Sequence, residues 1–501
     1  MKVLIFLFFW ASLSPFCPAQ NTFSKTISNY PLDPEGAWTV AEVADGYIIV
    51  SWGECFGQDV LTCGVVSKLD KNGDIVWFKQ FDFYPNAYSS LMVRENKIYV
   101  SGCKNQGEKQ LILFCLDMNG NVIWQKEYGD PAQGEVGSTL AFSSDSTIII
   151  SGTRRPNITG MPRQIAYLVK TDIDGAILDE HTYDFQNDQS VAVTNIETTD
   201  GQTVFSYLAC PESCFLEFSG GVAAVNTVGT LVWNLPLPFS YEPDRPHIIQ
   251  TDAITLVTNW HTKTVLPVHD LNPPALFYLN KDGQIQDSLV FENQTLKSID
   301  DLEPVWEKGL VGCGSNYFDY IAVPSPELGG WVFKVNKNKV LLWERTYTDT
   351  AYQGRTGKFQ SIALASDGGY IAVGHIVNNM TGVLEAHNWI LKLDSLGCLQ
   401  PGCGEINYIS ETEEATFLKG RDILVYPNPA NSFVNIQLPS ENTFKKLSAF
   451  LVSNKGSTIK QFLIDSNEIQ INISDIETGV YYLMINQGNE IITSKRIIIS
   501  R

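Results

Sequence analysis

The side chains able to do chemistry are six histidines, ten cysteines and 55 carboxylates, spread over 501 residues. The histidines are His181, His247, His261, His269, His375 and His387, and none stands at a zinc-type spacing from another. His261 and His269, with Asp270 beside the second, flank what reads as one long loop, so no metal site is assigned. The chain has no Gly-x-Ser-x-Gly elbow, no Gly-rich phosphate loop and no cysteine in a protease context. No catalytic residue is assigned. Paired-acid chemistry stays open, because it depends on a carboxyl separation in space that a sequence does not contain.

The cysteines fall into close pairs: Cys55 with Cys63, Cys210 with Cys214 and Cys398 with Cys403 are spaced as local loop staples, and Cys103 with Cys115 is a wider spacing. Cys313, in the strand-like run Leu310-Val311-Gly312-Cys313, reads as a buried, inert thiol. Such staples need an oxidising compartment. The amino terminus points to one. Lys2, the apolar run from Val3 to Leu13 and the small Ala19 have the form of a cleavable signal peptide over 1–19, and the run is too short to span a bilayer. Phe16 stands where a lipoprotein signal wants a small residue, so Cys17 is not read as a lipid anchor. With 35 Lys plus Arg against 55 Asp plus Glu, the net charge of -20 disfavours nucleic acid, whose binding requires cations to replace condensed counterions. No later stretch is long and apolar enough for a transmembrane helix.

The elements that must position these groups come from a repeat. Asp or Asn opens a turn and Gly usually follows three residues on, at Asp70, Asp117, Asp172, Asn226, Asn280 and Asp394, with Asn336 to Lys339 a degenerate copy. From Gly73 to Gly397 the mean period is 54 residues. Four residues beyond the turn glycine stand Trp77, Trp124 and Trp233, with Trp343 in the degenerate copy and Asp179 and Asp287 in the other two. The strand after the turn alternates, as in Trp77-x-Lys79-x-Phe81 and Trp343-x-Arg345-x-Tyr347, which is the pattern of a half-buried strand. His181 takes the cation position of that pattern and is assigned to structure. The turn acids are expected to bond their own turn backbone rather than calcium. With two apolar strands before each turn, every unit has four strands, so the fold class is all-β and residues 20–404 are expected to form a seven-bladed β-propeller. The seventh unit lacks its outer strand. Phe23, Lys25 and Ile27 repeat the missing spacing, so residues 22–28 are expected to close the ring and hide its edges.

The Gly-x-x-x-Trp turn resembles the repeats of quinoprotein-like β-propellers. That resemblance implies that Trp77, Trp124, Trp233 and Trp343 dock one blade on the next. It does not carry a cofactor over, because quinone-dependent dehydrogenases of that type usually need vicinal cysteines and calcium ligands, and no two cysteines here are adjacent. No cofactor is expected.

After a polar linker at 405–423, a new alternating pattern fills 424–501 and reads as a small β-sandwich. Its opening Tyr426-Pro427-Asn428-Pro429, the Gly479-x-Tyr481 near the end and Lys495 before a β-branched terminal strand resemble, in order, the type A C-terminal sorting domain of the type IX secretion system. The resemblance implies a Gram-negative bacterium, passage through the periplasm, and recognition by the translocon and sortase machinery. It also implies attachment to surface lipopolysaccharide, or release outside the cell.

Long connections between second and third strands emerge together on one face of a propeller. They place Arg154, Arg155, Arg163, Trp260, His261, Tyr317, Phe318 and Tyr320 on a common rim, where aromatics beside polar groups suit a sugar or protein surface. The leading reading is therefore a secreted, non-enzymatic propeller that binds a glycan or protein. Its rival is an extracellular hydrolase or lyase with carboxylates in the central funnel. Acids or histidines converging there would favour the rival.

Overall fold

The computed structural model describes residues 20–27, 36–53, 63–84, 91–104, 110–155, 164–185, 189–199, 201–211, 218–240, 246–252, 255–261, 273–291, 296–317, 329–348, 356–378 and 385–400, then 424–428, 430–438, 447–453, 458–464, 466, 468–487 and 490–500. Every regular element among them is a β-strand. The chain divides into two compact units, Met1–Asn407 and Tyr408–Arg501.

In the first unit the described strands form seven antiparallel sheets. In chain order they lie within 36–81, 83–128, 135–183, 189–240, 248–290, 296–347 and 356–393. Six have four strands and the second has five, because Phe83–Tyr84 and Leu91–Arg94 both pair with Lys97–Lys104. The first strands of successive sheets pack side by side, and Gly36–Val43 of the first meets Thr356–Leu364 of the seventh. The sheets therefore form a closed ring with these strands innermost. The fourth strand of the seventh sheet comes from the amino terminus: Phe23–Ile27 runs antiparallel to Glu385–Leu393, with Phe23 opposite Lys392 and Ile27 opposite Asn388. In such a meander the turns joining strands one to two and three to four share one face of the ring. The connections from two to three lie on the other.

The turn acids and amides serve their own backbone. Asp70 Oδ1 accepts from Asn72 N at 2.8 Å and Asp74 N at 2.9 Å, and Asp117, Asp172, Asn226, Asn280, Asn336 and Asp394 repeat the pattern. These donors hold the Asp70 and Asp117 carboxyls below the usual carboxylate range.

Each turn then receives a side chain from the outer strand of the preceding sheet. Gly120 has φ +74°, and the space a Cβ would fill there is taken by the Trp77 ring. Trp124 covers Gly175, Trp233 covers Gly283, Trp343 covers Gly397, His181 covers Gly229 and Phe23 covers Gly73. Phenol and indole groups tie the same seams: Tyr128 Oη donates to Gly175 O at 2.9 Å, Tyr183 to Gly229 O at 2.8 Å, and Trp77 Nε1 to Met118 O at 3.2 Å. The seam between the fifth and sixth sheets differs. Asp287 replaces the tryptophan, Lys339 at φ +64° replaces the glycine, and the two form an ion pair at 2.7 Å.

In the second unit, strands Leu424–Tyr426, Phe433–Gln437 and Glu468–Asn472 make one sheet. Thr458–Ile464, Leu447–Ser453, Gly479–Gln487 and Glu490–Ile499 make another. Val434, Ile436 and Ile471 of the first share one core with Leu447, Leu451, Leu483, Ile485 and Ile497 of the second.

Candidate functional site

The rim residues do not come together as a described surface. Arg154, at the end of Ile148–Arg154, is engaged: its Nε lies 2.9 Å from Glu135 Oε1, and its guanidinium sits 3.8 Å from the Tyr167 ring centroid. Burial pushes the Glu135 carboxyl up despite that partner. Arg155 N donates to Gly134 O at 3.1 Å. Trp260 corrects the expectation, since it is 1% exposed and its ring fills the space over Gly220 within the core of the fourth and fifth sheets. A strand two residue facing the seam is core, not rim. The backbones of His261 and Tyr317 end their strands; their side chains, with Arg163, Phe318 and Tyr320, lie outside the described residues.

Cys103 and Cys115, left at a wider spacing in the sequence, are both thiols: the register sets Cys115 opposite Tyr99 and Cys103 opposite Leu111, four residues apart along paired strands and beyond the reach of a disulfide. Cys313 is a buried thiol with its pKa raised by burial. Cys63 and Cys398 are buried, whereas Cys55, Cys214, Cys403 and the side chain of Cys210 lie outside the described residues.

The groups that do converge are on the innermost strands. Several carry a register shift, and the residue after it is polar: Thr39, Thr139, Asn195, Asp301 and Ser361. From these a girdle runs from sheet to sheet. His247 Nε2 lies 2.8 Å from Asn195 Nδ2 and 3.0 Å from Asp301 Oδ1, and Asp301 Oδ2 accepts from Ile362 N at 2.9 Å. Asn259 Nδ2 donates to Ile299 O at 2.9 Å, and its Oδ1 accepts from His247 N at 2.7 Å. Four adjacent sheets are thereby linked around the axis. Asn195, His247 and Asp301 are held as much as they hold.

Two residues beyond Asn195 and Asp301 stand Glu197 and Glu303. They stand on the innermost strands of the fourth and sixth sheets. Burial pushes Glu197 up to about 7, against the backbone N–H groups of Thr198 and Gln250 that donate to its carboxylate. Glu303 is pushed well above the carboxylate range by burial, then by Asp301 and Glu197. A carboxyl shifted as Glu197 is can hold and pass a proton near neutral pH. Elsewhere on the sixth and seventh sheets Lys358 Nζ pairs with Asp300 Oδ1 at 2.6 Å, and burial lowers His375, opposite Lys358 in the register, to about 4, keeping it neutral. No cluster of three or more metal-ligating side chains occurs among the described residues.

In the second unit the opening segment is stitched to the terminal strand. Ile498 N donates to Asn428 Oδ1 at 2.8 Å, Ala430 N to Ile498 O at 2.8 Å and Ser500 N to Ala430 O at 2.9 Å. Tyr426 Oη donates to Glu468 Oε1 at 2.9 Å, Tyr481 Oη donates to Glu477 O at 2.9 Å beside Gly479, and Lys495 is opposite Leu483. Pro429 lies outside the described residues.

Fold and site together define an all-β protein: a propeller-like ring of four-stranded sheets with an acidic centre, carrying a small carboxyl-terminal β module. Residues 424–500 match the model of the secretion system C-terminal sorting domain, the domain that directs a chain to the cell surface or extracellular space. No curated protein matches the chain. Among solved structures it is similar to a europium-containing methanol dehydrogenase at 8% identity, covering 71% of this chain and 81% of that one, with a TM-score of 0.37. Polysaccharide lyase Uly1 gives 8% identity over 72% and 90%, with a TM-score of 0.41. A polysaccharide lyase described as an ulvanlyase bound to -[GlcA(1-4)Rha3S]- gives 10% over 61% and 79%, with a TM-score of 0.43. Likenesses this low support neither an activity nor a substrate for this chain.

Proposed function

We propose that this is a ligand-binding protein of the cell exterior, exported by the type IX system through residues 424–501. In this reading 1–19 is a signal peptide, 20–404 the propeller and 405–423 the linker at which the sorting domain is removed. The producing cell is then a Gram-negative bacterium whose sortase machinery attaches the ring to lipopolysaccharide or releases it. Oxidative export would allow disulfides, which we assign as Cys55 with Cys63, Cys210 with Cys214 and Cys398 with Cys403.

The ligand is a glycan or a protein, and the observation that carries the site is the placement of Glu197 and Glu303 on innermost strands, each two residues beyond the girdle residues Asn195 and Asp301. Asp301 is consumed by bonds to His247 and Ile362; among the described residues, the two glutamates are the acids we assign to a ligand. The same pair supports a second reading, a hydrolase or lyase in which one carboxyl donates a proton and the other accepts one. A glycan array and turnover screen on the exported protein and on its E197Q and E303Q variants separates the two. Binding lost in both variants with no product in any sample supports the binding protein. Product lost in both supports the enzyme. Binding or product unchanged in both removes the channel as the site.

A further inference from the structure

The repeat leaves one seam unfilled. At five of the seven seams an aromatic side chain covers the turn glycine of the next sheet, and between the fifth and sixth sheets Lys339 replaces that glycine and reaches Asp287. Between the third and fourth sheets the tryptophan is also lost, to Asp179, yet Gly229 is kept at φ +76°. His181, one step further out on the same strand face, covers the glycine, and its Nε2 lies 2.7 Å from Asp179 Oδ2. Beside them a cavity of about 220 Å³ remains.

The cavity opens on the turn face, away from the strand two to three connections, and is lined by turns of both sheets. Its polar lining includes Asp145 with Lys170 at 3.0 Å and Asp179 with His181, beside turn residues such as Ser143 and Asn226. Leu168, Tyr183 and Val225 supply apolar surface to the same cavity. Asp145 faces the Lys170 ammonium and Asp179 faces the His181 imidazole, so the site presents carboxylate acceptors already held in place by basic side chains. It is smaller than the ~300 Å³ at which sites for drug-sized molecules begin, and far larger than the ~30 Å³ share of one water. We propose that this seam binds a single neutral pyranose ring, its hydroxyls donating to Asp145 and Asp179 and its C–H face lying on the apolar surface. The assignment is independent of the central carboxyls.

The test uses the exported full chain and saturation-transfer NMR with methyl pyranosides of the common hexoses, with ethylammonium as a charged probe. At least one pyranoside should bind, with a dissociation constant on the order of millimolar, as one small ring allows. The double variant D179W/H181K rebuilds the Trp-x-Lys pair of Trp77 and Lys79 and should fill the seam, weakening binding at least about tenfold while the protein melts no lower. D145N keeps the cavity and loses one acceptor, so it should weaken the same probe if the filled variant misfolds. L463S, at an exposed position of the second unit, should change nothing. Absence of pyranoside binding to the parent protein, binding that survives both seam variants, a preference for ethylammonium, or loss in L463S would each overturn the proposal.

Discussion

Glu197 is an acid whose ionised form the ring centre disfavours, and this has a thermodynamic sign. Its carboxyl ordinarily ionises near 4.5 and in the folded protein near 7. Between those values the unfolded chain has released the proton that the folded chain still holds, so stability falls as pH rises and the full penalty is present above 7. E197Q cannot ionise. Relative to the parent it should gain melting temperature on going from pH 5 to pH 8; a difference independent of pH would show that the carboxyl is solvated like any surface acid. His375, lowered to about 4 by burial and Lys358, acts in the opposite direction, costing stability as pH falls from about 6.5. Measuring each variant against its parent at every pH cancels that contribution. Neither Glu197 nor Glu303 stood out in the sequence. The legible trace is Asn195-x-Glu197 and Asp301-x-Glu303, the same repeat position 106 residues apart, where Ala41, Ala141 and Ala363 stand in other copies, but the sequence does not show which way that position faces. Trp260 failed for the converse reason: an aromatic next to a long connection reads as exposed until its sheet face is known.

At the scale of elements, the turn-and-strand repeat was readable because each copy must satisfy the same local chemistry: an acceptor for two turn N–H groups, a left-handed position, and a ring for the next seam. The innermost strands were less so, since their register shifts interrupt the alternation that marks a strand. In the second unit, Thr458–Ile464 is the strand least legible from its sequence, because Leu463 and Ile459 face solvent and hide its periodicity. Phe23–Ile27 was found from spacing alone, and its contacts make a prediction. Phe23 covers Gly73, Lys25 pairs with Asp74, and Trp389 Nε1 donates to Ser24 Oγ at 3.0 Å, so this strand joins the seventh sheet to the first. Removing residues 20–27 should lower the melting temperature and, by baring the Glu385–Leu393 edge, promote association. The milder F23A should cost about 2 kcal/mol, toward the low end for a large apolar truncation because the ring is half-buried. An unchanged melt and a monomeric deletion variant would show the strand to be ornamental.

For the molecule as a whole, what the sequence disclosed was destination more than task, because an address must be read by a general machine while a ligand site answers to one partner. Residues 424–500 carry that address, and their structure shows why the motif is split between the two ends of the module: Asn428 and Ala430 hydrogen-bond to the strand that ends at Ile499. Deleting 424–501 should leave the protein in the periplasm, detected by fractionation. If recognition needs the folded module rather than a linear tail, N428A should also retain chain inside the cell. It removes the acceptor for Ile498 N while leaving every residue from 430 to 501 in place. Retention by the deletion with normal export of N428A would assign the address to the terminal strand itself. Normal surface display of the deletion would show that export does not run through this domain at all, and the placement of the ring outside the cell would fall with it.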